Sequence, residues 1–72
     1  MSYIIVFDIG RDNPSLRVKV NRMLNRIKAV MVQDSVWQSD DLEQLKIIGK
    51  IIKSNGGKVL LFSKNHAIKD FK

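Results

Sequence analysis

Two stretches of helical period, each fenced by its own start and stop residues, constrain this chain more than anything else in it. The first opens at Asn13-Pro14, where asparagine can cap and proline suits the first helical position. Apolar residues then recur at Leu16, Val20, Met23, Leu24 and Ile27, which is one face of a helix. The second opens at Ser39-Asp40-Asp41, with Asp40 and Glu43 spaced as a capping box and acid at the positive end of the dipole. Its apolar arc is Leu45, Ile47, Ile48, Ile51 and Ile52, and Lys46, Lys50 and Lys53 line the opposite side. Asn55-Gly56-Gly57 closes it, glycine supplying the left-handed backbone that a helix stop needs.

Short β-branched and aromatic runs surround these helices. Residues Ser2 to Ile9 hold Tyr-Ile-Ile-Val-Phe, bounded by Asp8 and Gly10, and predict a buried strand. Ala29 to Val32 predicts a second strand, Gln33-Asp34-Ser35 a bend, and Val36-Trp37-Gln38 a third strand. Lys58 to Ser63 is the last. The order βαββαβ makes an α+β, ferredoxin-like sandwich, with both helices on one face of a four-stranded antiparallel sheet. The other face carries alternate strand side chains, several of them apolar, and no element is left to cover it. A two-fold homodimer packing sheet on sheet would do so. One domain is expected over residues 1–64, followed by a polar tail, 65–72, that only Ala67, Ile68 and Phe71 could anchor.

Composition narrows the function classes. A chain of 72 residues fits one small domain, which hides only about 60% of its unfolded surface. It contains no cysteine and one histidine, which removes disulfides, thiolate metal sites, cysteine nucleophiles and the usual zinc centres. The Tyr3–Phe7 run is far shorter than the roughly 20 residues that span a bilayer. The N-terminus lacks a positive leader and a cleavage site, so no secretory signal is expected and a cytoplasmic setting is. Thirteen Lys plus Arg against seven Asp plus Glu give +6. That excess either solubilises the chain or favours a polyanion such as nucleic acid, whose phosphates release counterions on contact.

Asp8 is the most informative single residue. A carboxylate directly after five apolar strand residues, if buried, must be paired, protonated or bound to a metal. It can accept N–H bonds in the Gly10 turn or pair with Arg11. Alternatively it meets its symmetry mate across a dimer axis, where two carboxylates with waters and a phosphate complete an oxygen shell for Mg²⁺. On the first helix, Lys19, Arg22 and Arg26 cluster on one flank, while Arg17 lies near the loop that follows Asp8. Together they form a candidate phosphate-contact stripe or a solvated surface. Trp37 reads as a core or interface anchor, and Ser35 as a turn residue with no histidine near enough in sequence to act as its base. His66 falls in the polar tail. Gly56-Gly57 lacks the Lys-Ser or Lys-Thr that would make it a phosphate loop. Neither helix has the bulky apolar face expected of a membrane-surface helix.

Several of these residues resemble one family. Tyr3-Ile4-Ile5-Val6-Phe7-Asp8-Ile9 is similar to the first strand of the second CRISPR-associated protein, the small dimeric partner of the spacer integrase. Leu16-Arg17-Val18-Lys19-Val20, with Leu24, resembles its arginine-rich first helix. Val32-Gln33-Asp34-Ser35-Val36-Trp37 resembles its Val-Gln-x-Ser-Val-Phe signature, and Leu42 and Leu45 fall where its second helix begins. The resemblance implies a ferredoxin-like homodimer whose strand-end Asp8 is a Mg²⁺ (or Mn²⁺) ligand of an endonuclease acting on RNA or DNA. It equally implies a non-catalytic scaffold that holds nucleic acid beside an integrase protein. Arg17 matches the family's helix arginine, and Lys19 stands where a second arginine is common. Phe7 replaces a frequent tyrosine, and Met31 stands where some members carry arginine. The VapD toxin ribonucleases resemble the same scaffold, with the same strand-end aspartate.

Overall fold

A computed structural model describes residues 2–63 of the chain. The elements run β1 (Tyr3–Asp8), α1 (Pro14–Arg26), β2 (Val30–Gln33), β3 (Val36–Ser39), α2 (Leu42–Ser54) and β4 (Lys58–Ser63). The strands form one sheet in the order β2-β3-β1-β4, each neighbouring pair antiparallel. β1 and β3 therefore lie in the centre, and each helix joins two strands that have a third between them. This is the expected α+β ferredoxin-like arrangement. The end of the expected domain at Lys64, the tail 65–72 and His66 lie outside the described residues.

Register sorts the side chains. Ile5 sits opposite Trp37 and Leu61, whereas Ile4 sits opposite Gln38 and Phe62, and Val6 opposite Val36 and Leu60. Ile5, Phe7, Ile9 and Trp37 join Leu16, Val20 and Leu24 of α1 and Leu45, Ile48 and Ile52 of α2 in a single buried cluster. The helices thus cover one face of the sheet, and its core is built almost wholly of aliphatic side chains with Phe7 and Trp37. No described element covers the opposite face, where Val30, Val32, Leu60 and Phe62 are 61%, 53%, 65% and 37% exposed and Ile4 is buried at 8%. No helix among the described residues is long and apolar enough to cross a membrane.

Both helices start and stop by the same devices. Asn13 Oδ1 accepts from the Leu16 N–H at 3.3 Å, with Pro14 at the first helical position. The second cap differs from the sequence expectation by one residue. Asp41, not Asp40, is the N-cap, and its Oδ1 accepts from the Gln44 N–H at 3.1 Å. The Ser39 hydroxyl holds the Asp41 N–H at 3.0 Å, and Asp40 instead accepts from the Ser2 hydroxyl at 2.9 Å. With three residues in a row able to cap, the neighbouring contacts decide which one does. At the other ends, Ala29 N–H and Lys28 N–H reach back to Leu24 and Asn25 carbonyls, as Gly57 and Gly56 reach Ile52 and Lys53. These paired bonds are the Schellman closure, whose pivot residue is left-handed: Lys28 at φ 61° and Gly56 at φ 86°.

Strand bounds move by a residue from expectation. β2 begins at Val30 because the α1 closure uses Lys28 and Ala29, and it extends through Gln33. Asp34-Ser35 then turns the chain, with Ser35 at φ 65° and a register shift between Met31 and Gln33. The Ser35 carbonyl accepts from the Phe7 N–H at 3.1 Å, which ties this turn to the central strand.

Candidate nucleic-acid interface

Asp8 ends β1 and is exposed. Strand alternation places it on the uncovered face with Ile4 and Val6, away from the helices. Neither expected local partner is taken: among the described residues the structure shows no hydrogen bond or ion pair for its carboxylate. Across the sheet its register partner is Lys58, the first residue of β4. Opposite charges at such positions attract weakly across the pair. The sequence offers no sign of this neighbour, because β1 and β4 are joined by no hairpin and their register follows only from the finished sheet. Gly57 closes the same corner. A Cβ there would stand 3.0 Å from the Asp8 carbonyl oxygen and 2.6 Å from Ile52 Cγ2.

The basic residues of α1 divide into two groups. At about 100° per residue, Lys19, Arg22 and Arg26 fall within about 60° of one another, and Arg17 lies on the other flank. All four are exposed. α1 contains no acidic residue, so every charge on its outer surface is positive. Lys19, Arg22 and Arg26 line a shallow hollow with Ser15, Val18 and Met23. Val18 is half exposed and Met23 partly buried, so the hollow has an apolar floor and cationic walls. Long basic side chains over such a floor suit a sugar–phosphate backbone, the stems lying on apolar surface and the heads meeting phosphates.

Arg17 is engaged differently. Its Nη2 donates to the Ile9 carbonyl at 2.9 Å. That bond links the first turn of α1 to the residue immediately after Asp8. The structure therefore separates Arg17 from the stripe with which the sequence groups it.

Ser35 and Trp37 take structural positions. Ser35 is the left-handed turn residue described above. Trp37 is 4% exposed and belongs to the core on the helix-covered side. Of its two expected places, core or interface anchor, the single chain shows the core one. Lys46, Lys50 and Lys53 are exposed on α2.

One chain alone supplies few metal ligands: the described residues contain no group of three or more His, Cys, Asp or Glu side chains able to hold an ion. Comparison with protein-family models and with curated proteins finds no match to this chain.

Proposed function

We propose that this protein is a nucleic-acid-binding homodimer of the kind its sequence resembles, the small CRISPR-associated partner of the spacer integrase. The observation that carries the reading is the acid-free α1, whose Lys19, Arg22 and Arg26 stand exposed along one flank. Phosphates would be gripped there without base readout, in RNA or DNA. Apolar area on the uncovered sheet face supports a second copy as its cover. Ile4, Val6 and Asp8 share that face, so a two-fold axis through it would draw two Asp8 side chains toward the interface. An integrase partner and a cytoplasmic setting belong to the same reading.

The catalytic version asks Asp8 and its mate to hold Mg²⁺ or Mn²⁺ jointly. An exposed strand-end carboxylate without an internal partner fits that role, and a single chain cannot fill it. A metal bound there would polarise a phosphodiester and acidify an attacking water. A second reading, a non-catalytic adaptor, draws support from layer geometry. The basic flank belongs to the helical layer and Asp8 to the uncovered face, so the sheet lies between the phosphate grip and the carboxylate.

Fluorescence anisotropy with labelled duplex DNA, duplex RNA and single-stranded RNA, across about 50 to 200 mM salt, tests the binding claim. Affinity is expected to fall steeply with salt. The charge-reversed triple variant K19E/R22E/R26E is expected to lose binding while its denaturation midpoint stays near that of the parent. Salt-independent binding, or full binding by the triple variant, overturns the reading. Asp8→Ala then separates its two versions. The enzyme requires Mg²⁺-dependent cleavage that vanishes in this variant with the dimer intact, and the adaptor requires no metal-dependent cleavage in either. Preference for single-stranded RNA with growth arrest on expression would indicate the VapD-type ribonuclease.

A further inference from the structure

The geometry points to Arg17 as a positioning residue that fixes the β1–α1 loop behind Asp8, and not as a phosphate ligand. The proposal deepens the reading above by dividing its basic residues into two roles. The argument starts from donors. A guanidinium has five N–H groups and no acceptor, and it is weakly hydrated, which suits it to hold a backbone carbonyl at a protein surface. Nη2 of Arg17 makes this bond at 2.9 Å to the carbonyl of Ile9, a residue only 5% exposed. A bond from a charged donor is about twice as strong as a neutral one.

The clamp is one of three ties on a five-residue connection. Asn13 N–H donates to the Gly10 carbonyl at 3.1 Å, and Asn13 Oδ1 accepts from Leu16 N–H. Gly10 fits beneath the Asp12 side chain, where an added Cβ would stand 2.5 Å from Asp12 Oδ1. The loop is thus pinned at its start by Arg17, at its middle by the Gly10–Asn13 turn, and at its end by the cap. Asp8 is the residue before the first pin. The backbone of Asp8 is held by its pairing with Lys58 in β4, and the Arg17 bond fixes the chain from the next residue onward.

The role assignment also follows from position. Arg17 lies on the opposite flank of α1 from Lys19, Arg22 and Arg26, so a strand of phosphates tracking those three does not pass over it.

The test follows amide and guanidinium signals by NMR in the unbound protein and during titration with a labelled DNA duplex. Arg17→Ala and Arg17→Gln are each expected to speed exchange of the Asn13 and Leu16 amides about tenfold, the scale of one charge-assisted bond, while amides of α2 keep the parent rate. Arg22→Ala should leave all of them unchanged. On adding duplex, the Arg22 and Arg26 guanidinium resonances should move and that of Arg17 should not. Unchanged loop exchange in both Arg17 variants overturns the clamp. A shift of Arg17 matching those of Arg22 and Arg26 overturns the division of roles. If no nucleic acid binds at all, the proposed function fails while the exchange result still decides the clamp.

Discussion

The two halves of this molecule, β1-α1-β2 and β3-α2-β4, are built by the same rules and present different surfaces. Each contains a helix of 13 residues, capped by a side chain that accepts from the third helical N–H and closed by a Schellman pair. In the second half the outer surface is ordinary. Lysines alternate with apolar residues on α2, Glu43 marks its first turn, and the buried Gly49 faces Val59 of β4. The first half carries an acid-free basic helix, and its edge strand β2 is exposed along its whole length. The shared devices make the fold and the unshared surface makes the candidate function, so substitutions in the two halves should divide along that line.

The largest expected effect is in the second half. Ile48 is fully buried between α2 and the sheet. Ile48→Ala removes three carbons from a small core and should cost about 3 kcal/mol. In a domain this size each kcal/mol moves the thermal midpoint by about 4–8 °C, so the midpoint should fall by about 12–24 °C. Circular dichroism melts check it. A loss under about 1 kcal/mol would show that the core collapses around the gap.

A smaller effect is expected where the halves meet. Gly57→Ala sets a methyl 2.6 Å from Ile52 Cγ2 and 3.0 Å from the Asp8 carbonyl oxygen. The backbone oxygen cannot turn aside, so the α2–β4 corner must move, at a cost of about 1–2 kcal/mol. Urea denaturation measures the cost. Because the same corner supports the end of β1, the Asp8 and Ile9 amide resonances should shift more than those of β2. Uniform small shifts would show that the strand end is independent of this loop.

What could be read beforehand follows the same division. The fold was legible because its signals are local: Asn13-Pro14, the apolar spacing of both helices, and Gly56 as a stop. The cap falls at Asp41 and not Asp40 because Ser39, Asp40 and Asp41 have nearly equal capping ability, and a tertiary contact from Ser2 and a local one to Ser39 choose among them. The site was less legible. Arg17 reads like its basic neighbours because a backbone carbonyl acceptor has no residue type to announce it. Likewise Asp8 gives no hint of Lys58, since their pairing depends on how β1 and β4 settle beside each other. Trp37 fits a core or an interface equally until the sheet has two faces to choose between.

The finest test of the comparison exchanges the two helix stops. Lys28 and Gly56 occupy the same left-handed pivot, but a lysine Cβ is crowded there and a glycine is not. The Ile27-Lys28-Ala29 sequence carries no stop signal, so the first helix ends where packing of Ile27 and Ala29 against the core requires it. Lys28→Gly should relieve the strained backbone and stabilise the fold by about 0.5–1 kcal/mol, the relief exceeding the added freedom of the unfolded chain. The reverse change, Gly56→Lys, should destabilise by about 1 kcal/mol, as nothing lies within 4 Å of a Cβ there and the backbone conformation alone carries the effect. Paired urea titrations measure both. Opposite signs of similar size would establish that the two halves share one closure with interchangeable residues. A loss in both variants would mean that Lys28 does more than turn the chain, and that the stop of the basic half depends on its charge beside the helix C-terminus.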